Sequence, residues 1–457
     1  MNPPSDGATE LGELSPATTP STSLDSYAEA VLEARLGRGA RDVLEATVVL
    51  EAWAGRPARR AMTAARRLVS LDGPTTAAMS DLDPFDDSTH HSVVAEGITL
   101  VLLILSVAAW ATPIREQLGP NVLSDAIRVA LPIAVALQWG LRSRYLSRRE
   151  GMECLARDGA PVFLWCLLLF DLPLLLFGAW GVVAAMLVPV WVGGTVITMR
   201  GWGLLYAGVL VVGTVAMTHG VHPYIVLGSL AAITLLLCVA AVRSVPQRTD
   251  TRAGSLQRAI LAGLIGGSIG ALLVADPSLG WGVHGLHPSI ALLPSAIGSF
   301  WGGYYMWNFY DAVPRGLRGV PLKGASRAAL SDPAMSIFVG GIVRLLGATI
   351  VLSAVVLALG HWTHGTDDLS VFVAFALVGL LTLLVGLLEA FSLHHAALVA
   401  TTLALATELT CRSVIQPHLS GGALAAGAAV GVILTLPILL VRLARSGGVL
   451  ATTLWIQ

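Results

Sequence analysis

The sequence predicts an all-α, polytopic integral membrane protein with about twelve transmembrane helices and a small helical and disordered N-terminal region. Three observations predict it. Of 457 residues, 55% are hydrophobic and 12% charged, a charged share well below the quarter typical of soluble domains. About twelve apolar runs follow Ser92, each reaching or approaching the ~20 residues that cross ~30 Å of hydrocarbon. The arginine-rich loops between those runs all fall on one side once the runs alternate in direction.

Residues 1–26 are rich in Pro, Ser and Thr with no hydrophobic period, so they are expected to be disordered. No cleaved signal peptide is expected, because the first long apolar run begins only near Ser92. Residues 27–91 read as a cytosolic helical region ending in the acidic spacer "DLDPFDD". Its short helices break at Gly37 to Gly39 and at Gly55 to Pro57. The last of them sets Arg59, Arg60, Arg66 and Arg67 against Ala and Leu. Such a helix either lies on an anionic leaflet or belongs to a small solvated domain.

Residues 92–457 form the transmembrane helical domain. Its spans are expected at roughly 92–112, 122–141, 160–178, 180–199, 201–218, 223–242, 259–275, 288–307, 334–359, 369–388, 391–411 and 420–441. The loops "RSRYLSRRE", "RSVPQRTDTRAGSLQR", "PRGLRGVPLKGASR" and "RLAR" follow spans two, six, eight and twelve. The positive-inside rule makes that side cytoplasmic and both termini cytoplasmic, in the cell membrane.

Composition also excludes chemistry. A net charge of −1 gives no field to draw in nucleic acid, and no zinc-finger or RNA-binding pattern is present. Cys154, Cys166, Cys238 and Cys411 are widely spaced and read as packing residues rather than disulfide or zinc ligands. No phosphate-binding G-x-x-x-x-G-K-[ST] loop occurs. No cofactor is expected, and uphill transport would need an ion gradient or a partner ATPase.

An ionisable group near the bilayer centre costs about 2.5–3.5 kcal/mol on insertion scales, so its presence reports a pathway or a partner. Asp171 in span three and Arg344 in span nine both lie about 16 Å from the cytoplasmic side at ~1.5 Å per residue. The matched depth predicts an intramembrane charge pair, either a moving gate or a static lock, with Pro173 kinking the helix beside it. Asp125 and Arg128, three residues apart, are expected to neutralise each other locally. Glu389 precedes His394 and His395, and Glu408 lies near the outer end of the same span as the histidines. Carboxylate and imidazole together can relay protons.

Six histidines form three H-x-x-H pairs: His219 with His222, His284 with His287, and His361 with His364. All three pairs fall outside in this topology, as Zn or Cu ligands, as proton sensors or as polar interfacial loops. Two of them open a repeat, "HGVHPYIVLGSLAAI" and "HGLHPSIALLPSAIG", so spans six and eight begin alike.

The stretch "GSFWGGYYMWNFYDAVPRGLRGVPLKG" ends span eight in a cluster of rings followed by basic residues. An interfacial aromatic belt accounts for the pattern. The other reading is ligand stacking on Trp301, Tyr304, Tyr305 and Asn308, which share a face at helical spacing. Small-residue spacings, Gly263 with Gly267, Gly266 with Gly270 and Gly427 with Gly431, predict close helix packing.

These features predict a transporter, an ion-coupled exporter or carrier of a small or lipid-like solute. The span count is similar to that of major-facilitator and multidrug or lipid-exporter families, but the loop after span two lacks the major-facilitator sequence and no family is assigned. The alternative is a membrane scaffold subunit of a secretion or envelope-biosynthesis machine. A third is a membrane enzyme acting on a lipid-linked sugar, for which Asp311 is the nearby carboxylate. The expected partners are the lipid bilayer and a subunit or ATPase docking through residues 27–91.

Overall fold

Where the chain runs apolar for about twenty residues, no water is at hand for its backbone, and each N–H and C=O must find its partner within the segment. The computed structural model accordingly answers each apolar run with a helix, and no strand occurs among the described residues. Those residues are 27–28, 30–32, 43–53, 58–68, 88–146, 151–245, 255–276, 279, 288–307, 327–364, 369–414 and 421–444. The segment 1–26 lies outside them, as does the acidic spacer.

The chain divides into two units, Met1–Leu82 with Gln457 and Asp83–Ile456. In the first, α1 (Val43–Trp53) and α2 (Ala58–Leu68) pack together. Ala61, Ala64 and Ala65 of α2 are buried with Ala46, Val49 and Leu50 of α1 and with Ala28 and Leu32. The apolar face that could have rested on a leaflet is therefore covered by the unit's own core, while Arg60 stays exposed.

The second unit holds the helices α3 (Ser88–Leu118), α4 (Val122–Leu141), α5 (Ala160–Leu174), α6 (Gly178–Met199), α7 (Gly203–Thr218) and α8 (Pro223–Arg243). They are followed by α9 (Leu256–Ala275), α10 (Pro288–Trp307), α11 (Arg327–His364), α12 (Leu369–Ala390), α13 (His394–Val414) and α14 (Gly422–Leu443). Each matches one expected span. Among the described residues, eight segments are long and apolar enough to cross a membrane unaided, and α7 is a shorter apolar helix. One of the eight, Leu167–Met199, is broken at Gly178, where φ is +73°. Residues seven apart in a straight helix are about 10 Å apart. Here a Cβ on Gly181 would overlap the Leu174 carbonyl oxygen, so the chain bends back sharply between α5 and α6.

Close approaches at glycine fix the relative helix directions. Gly140 of α4 meets Ala259 and Gly263 of α9, while Gly270 at the far end of α9 meets Pro132, so the two run antiparallel. Gly298 and Gly302 of α10 meet Thr349 and Gly341 of α11 in the same sense. Gly427 of α14 meets Glu408 of α13, and Gly431 meets Ala404. Pairs two or four helices apart run parallel: the Thr99 hydroxyl near the start of α3 donates to Gly203 O at the start of α7 (2.9 Å), and further along Trp110 Nε1 donates to Thr214 Oγ1 (3.1 Å). Strict alternation accounts for all of these contacts. The predicted glycine spacings in α9 and α14 lie at these contacts, as small side chains let backbones approach.

Two helices depart from the plain apolar pattern. With 38 residues, α11 is about 57 Å long at ~1.5 Å per residue, well beyond ~30 Å of hydrocarbon. α13 carries Thr401, Thr407, Thr410 and Glu408 and packs against α14, α9 and α12. Thr401 and Glu408 are buried among neighbouring helices, while the Thr407 and Thr410 hydroxyls donate to the Leu403 and Ala406 carbonyls one turn back on α13 itself.

Candidate functional site

The least expected group in the bundle is the Glu408 carboxyl. Glu408 sits on the face of α13 that meets Gly427 of α14, where a side chain on residue 427 would collide with the Glu408 Cβ and the Ala404 carbonyl. Glu408 is 0% exposed, and neither carboxyl oxygen has a hydrogen-bond partner among the described residues. Arg412 lies one turn further along α13. Asp276 follows the last residue of α9 and is 4% exposed.

α9 packs against α13. A carboxyl group without partners in an apolar surrounding is costly.

Asp276 was missed in the sequence because it lies just past an apolar run and reads as a loop residue. Glu408 stood out only as a charge near a helix end. Its signal was a Glu within a Thr-rich helix facing a G-x-x-x-G helix, a pattern for close packing around a polar group.

The expected pair of Asp171 and Arg344 does not form. The Arg344 guanidinium lies over the Tyr305 ring, 3.6 Å from its centroid, and donates to Gly340 O at 3.2 Å. Asp171 is half-buried on α5, a helix that packs chiefly on α6, and its Oδ1 has no hydrogen-bond partner among the described residues. Leu169, Leu172 and Leu176 around it are exposed. Equal depth does not make two helices neighbours: α11 packs on α10, and a ring there satisfies the cation.

Other expected groups do meet. Arg128 and Asp125 form an exposed local pair at 3.2 Å along α4. Glu389 and His394 approach to 3.9 Å, half-buried, across the turn between α12 and α13, while His395 points outward. That turn is a helix-ending motif in which Leu393 N–H donates to Leu388 O and Ser392 N–H to Glu389 O, with Ser392 left-handed at φ +59°.

The histidine pairs take different positions. His219 ends α7, and His222 caps α8, its Nδ1 accepting from Tyr224 N–H at 3.4 Å with Pro223 as the first helical residue. Both α8 and α10 begin at a proline, Pro223 and Pro288, which is part of why they open alike. His361 and His364 lie in the last turn of α11, with side chains outside the described residues, as are His284 and His287 altogether. No group of three candidate metal ligands occurs among the described residues.

Of the ring cluster, Trp301 is 53% exposed, Tyr304 and Tyr305 are half-buried, and Asn308 lies outside the described residues. One face of Tyr305 is taken by Arg344, and Gly340 presses on the ring edge. This ring therefore holds a side chain of its own protein on the face that the alternative reading offered to a ligand.

Compared with family models, with curated proteins and with solved structures, the chain finds no match.

Proposed function

We propose that this chain is a multi-pass transporter of the cell membrane, an ion-coupled carrier of a small or lipid-like solute with both termini in the cytoplasm. The observation that carries the reading is Glu408, wholly buried in an apolar helix bundle, with neither carboxyl oxygen hydrogen-bonded among the described residues. A charge is kept at such a place at considerable cost, and ion pathways are where membrane proteins keep them. The broken segment at Gly178, the half-buried Asp171 and the Glu389–His394 contact supply further polar groups along the bundle. In this reading Asp171, Arg344, Asp125, Arg128, Glu389, His394 and His395 line or gate the path.

The test is flux. The purified chain is reconstituted into liposomes with an imposed pH or sodium gradient, and a panel of amphiphilic and small polar solutes is offered. Solute-dependent dissipation of one gradient supports the carrier, and no dissipation with any solute overturns it.

A second reading, a membrane scaffold, is favoured by the separate core of the first unit. Removing residues 1–91 separates the two: a carrier keeps its flux, whereas a scaffold loses its assembled partners.

A further inference from the structure

We propose that Glu408 is the proton-binding residue of this chain, a carboxyl placed in one of two equivalent halves of the transmembrane unit where the other half keeps a methionine. The equivalence carries the inference; the use of the proton to drive a solute rests on the carrier reading above. In α4 and α10 the stretches "LPIAVALQWG" (131–140) and "LPSAIGSFWG" (293–302) agree at Leu, Pro, Ala, Trp and Gly. Packing repeats in the same order. α7 packs on α3, α6 and α8, as α13 packs on α9, α12 and α14, and α6 packs on α4 and α8, as α12 packs on α10 and α14. Across the middle α3 meets α10 and α4 meets α9, the exchange that a two-fold axis along the bundle gives. The halves α3–α8 and α9–α14 are therefore a duplicated unit, and strict alternation makes them run in the same sense. The exception is α11, which packs on α10, whereas its counterpart α5 packs chiefly on α6.

The turns from α6 to α7 and from α12 to α13 fix the register. At the first, the N–H of Arg200 donates to Val196 O, that of Gly201 to Thr198 O, that of Trp202 to Ile197 O and that of Tyr206 to Trp202 O. At the second, Phe391 donates to Leu387, Ser392 to Glu389, Leu393 to Leu388 and Ala397 to Leu393 in the same pattern, and Gly201 and Ser392 are both left-handed. A turn of this kind also ends α7 at Gly220, so the helices that follow decide the match. In this register Tyr206, Leu210, Gly213 and Met217 of α7 answer Ala397, Thr401, Ala404 and Glu408 of α13, and all of them are buried. Gly213 meets Leu230 of α8, and Ala404 meets Gly431 of α14. One turn on, the buried Thr234 hydroxyl donates to Leu230 O at 2.7 Å and the buried Thr435 hydroxyl to Gly431 O at 2.9 Å. Cys238 and Val242 then answer Leu439 and Leu443, again all buried.

Met217 and Glu408 thus hold one position in two copies of the same packing, and both are 0% exposed. The first half shows that an apolar side chain fills this position, so packing does not ask for a carboxyl, and burying one without a hydrogen bond is costly. A residue kept against that cost serves binding. A proton is the cation that one carboxyl can hold alone, and binding it removes the charge whose burial is costly. A calcium or magnesium ion takes about six oxygen ligands or more, and no group of three candidate metal ligands occurs among the described residues. Against this part of α13, α14 sets Gly427 and Gly431, neither of which carries a charge. The charged and titratable groups on the helices around it are Arg412, exposed one turn along α13, Asp276 past the end of α9, Arg258 in the first turn of α9, Arg442 in the last turn of α14, and Glu389 in the last turn of α12 beside His394.

The test uses the full-length protein in lipid nanodiscs and compares the wild type with Glu408→Met, which copies the first half. Glu408→Met is expected to unfold at the same temperature or a higher one, since methionine fills this position without a polar group to bury. Infrared spectra of the wild type at neutral pH are expected to show the carbonyl band of a protonated carboxylic acid, shifted in heavy water and lost in Glu408→Met. Glu408→Gln, close in shape to the neutral acid, gives the band a second reading. In liposomes, solute uptake driven by a pH gradient should be lost in Glu408→Met and kept in Met217→Leu.

A lowered midpoint in Glu408→Met overturns the inference, because the carboxyl would then belong to the packing. So does a band that is absent from the wild type or persists in both variants. Stabilisation of the wild type, but not of Glu408→Met, by sodium at constant pH also overturns it and makes the site a metal-cation site. Undiminished flux in a Glu408→Met that has lost the band would sink the coupling role alone. The expected band and midpoint without flux for any solute would sink the carrier reading and leave the proton site standing.

Discussion

The Arg344 guanidinium lies 3.6 Å from the centre of the Tyr305 ring, and Gly340, one turn back on the same helix, gives it a carbonyl at 3.2 Å. The three residues act as one unit. A Cβ on residue 340 would stand 2.8 Å from the ring, so the glycine makes the space that lets ring and cation meet. In an apolar span a cation without a partner is costly, and the ring quadrupole offsets part of that cost.

Tyr305→Ala should therefore destabilise the protein by about 0.5–2 kcal/mol, while Tyr305→Phe keeps most of the stability because the ring face remains. Thermal unfolding in detergent micelles measures both. Exchanging the charges of Asp171 and Arg344 should not rescue either single variant. Recovery in the double variant would mean that the two groups do meet.

Helix contact at glycine supplies a second prediction. Gly270→Ala would place a methyl group 2.7 Å from the Pro132 Cα, backbone that cannot swing away, at a cost of about 1–3 kcal/mol. Gly347 of α11 has nothing within 4 Å. Gly347→Ala should be neutral or stabilising by up to about 1 kcal/mol, since alanine favours the helix. Equal effects at the two positions would refute close packing of α4 on α9.

The turn between α12 and α13 gives a third. Ser392 holds a left-handed conformation that costs a side-chain-bearing residue about 1–2 kcal/mol. Ser392→Gly should raise the unfolding midpoint and Ser392→Val should lower it. The reverse order would show that the turn does not adopt this form.

A fourth concerns His222. As the cap of α8 it should tolerate Asn or Asp with little change, while Ala costs about 0.5–2 kcal/mol. Chelators should leave the unfolding midpoint of the wild type where it was. A chelator-sensitive midpoint in the wild type but not in His222→Asn would show that the histidine holds a metal after all.

Reading the sequence found the helices because apolar length is a local property, and each expected span has its helix. Glu389 and His394 were legible for a similar reason: a tight turn keeps residues that are near in sequence near in space. Asp171 and Arg344 failed because depth is one coordinate of three, and periodicity does not say which rods stand side by side. The full burial of Glu408 was hidden by the same gap, because it depends on which helices pack on α13. The glycine spacings marked which faces pack closely, yet not their partners. Gly427 pointed to a contact, and only the fold revealed that it is made with the base of the Glu408 side chain.

The 38-residue α11 overshoots the hydrocarbon by several turns while gripping α10 near its middle, at Gly340 and Gly341. It is thus a lever with an intramembrane fulcrum. A tilt of ~10° about that point would swing each tip by roughly 5 Å, given ~1.5 Å per residue. Rearrangement around Tyr305 would in this way be reported in the water on both sides, far from the charge that set it off.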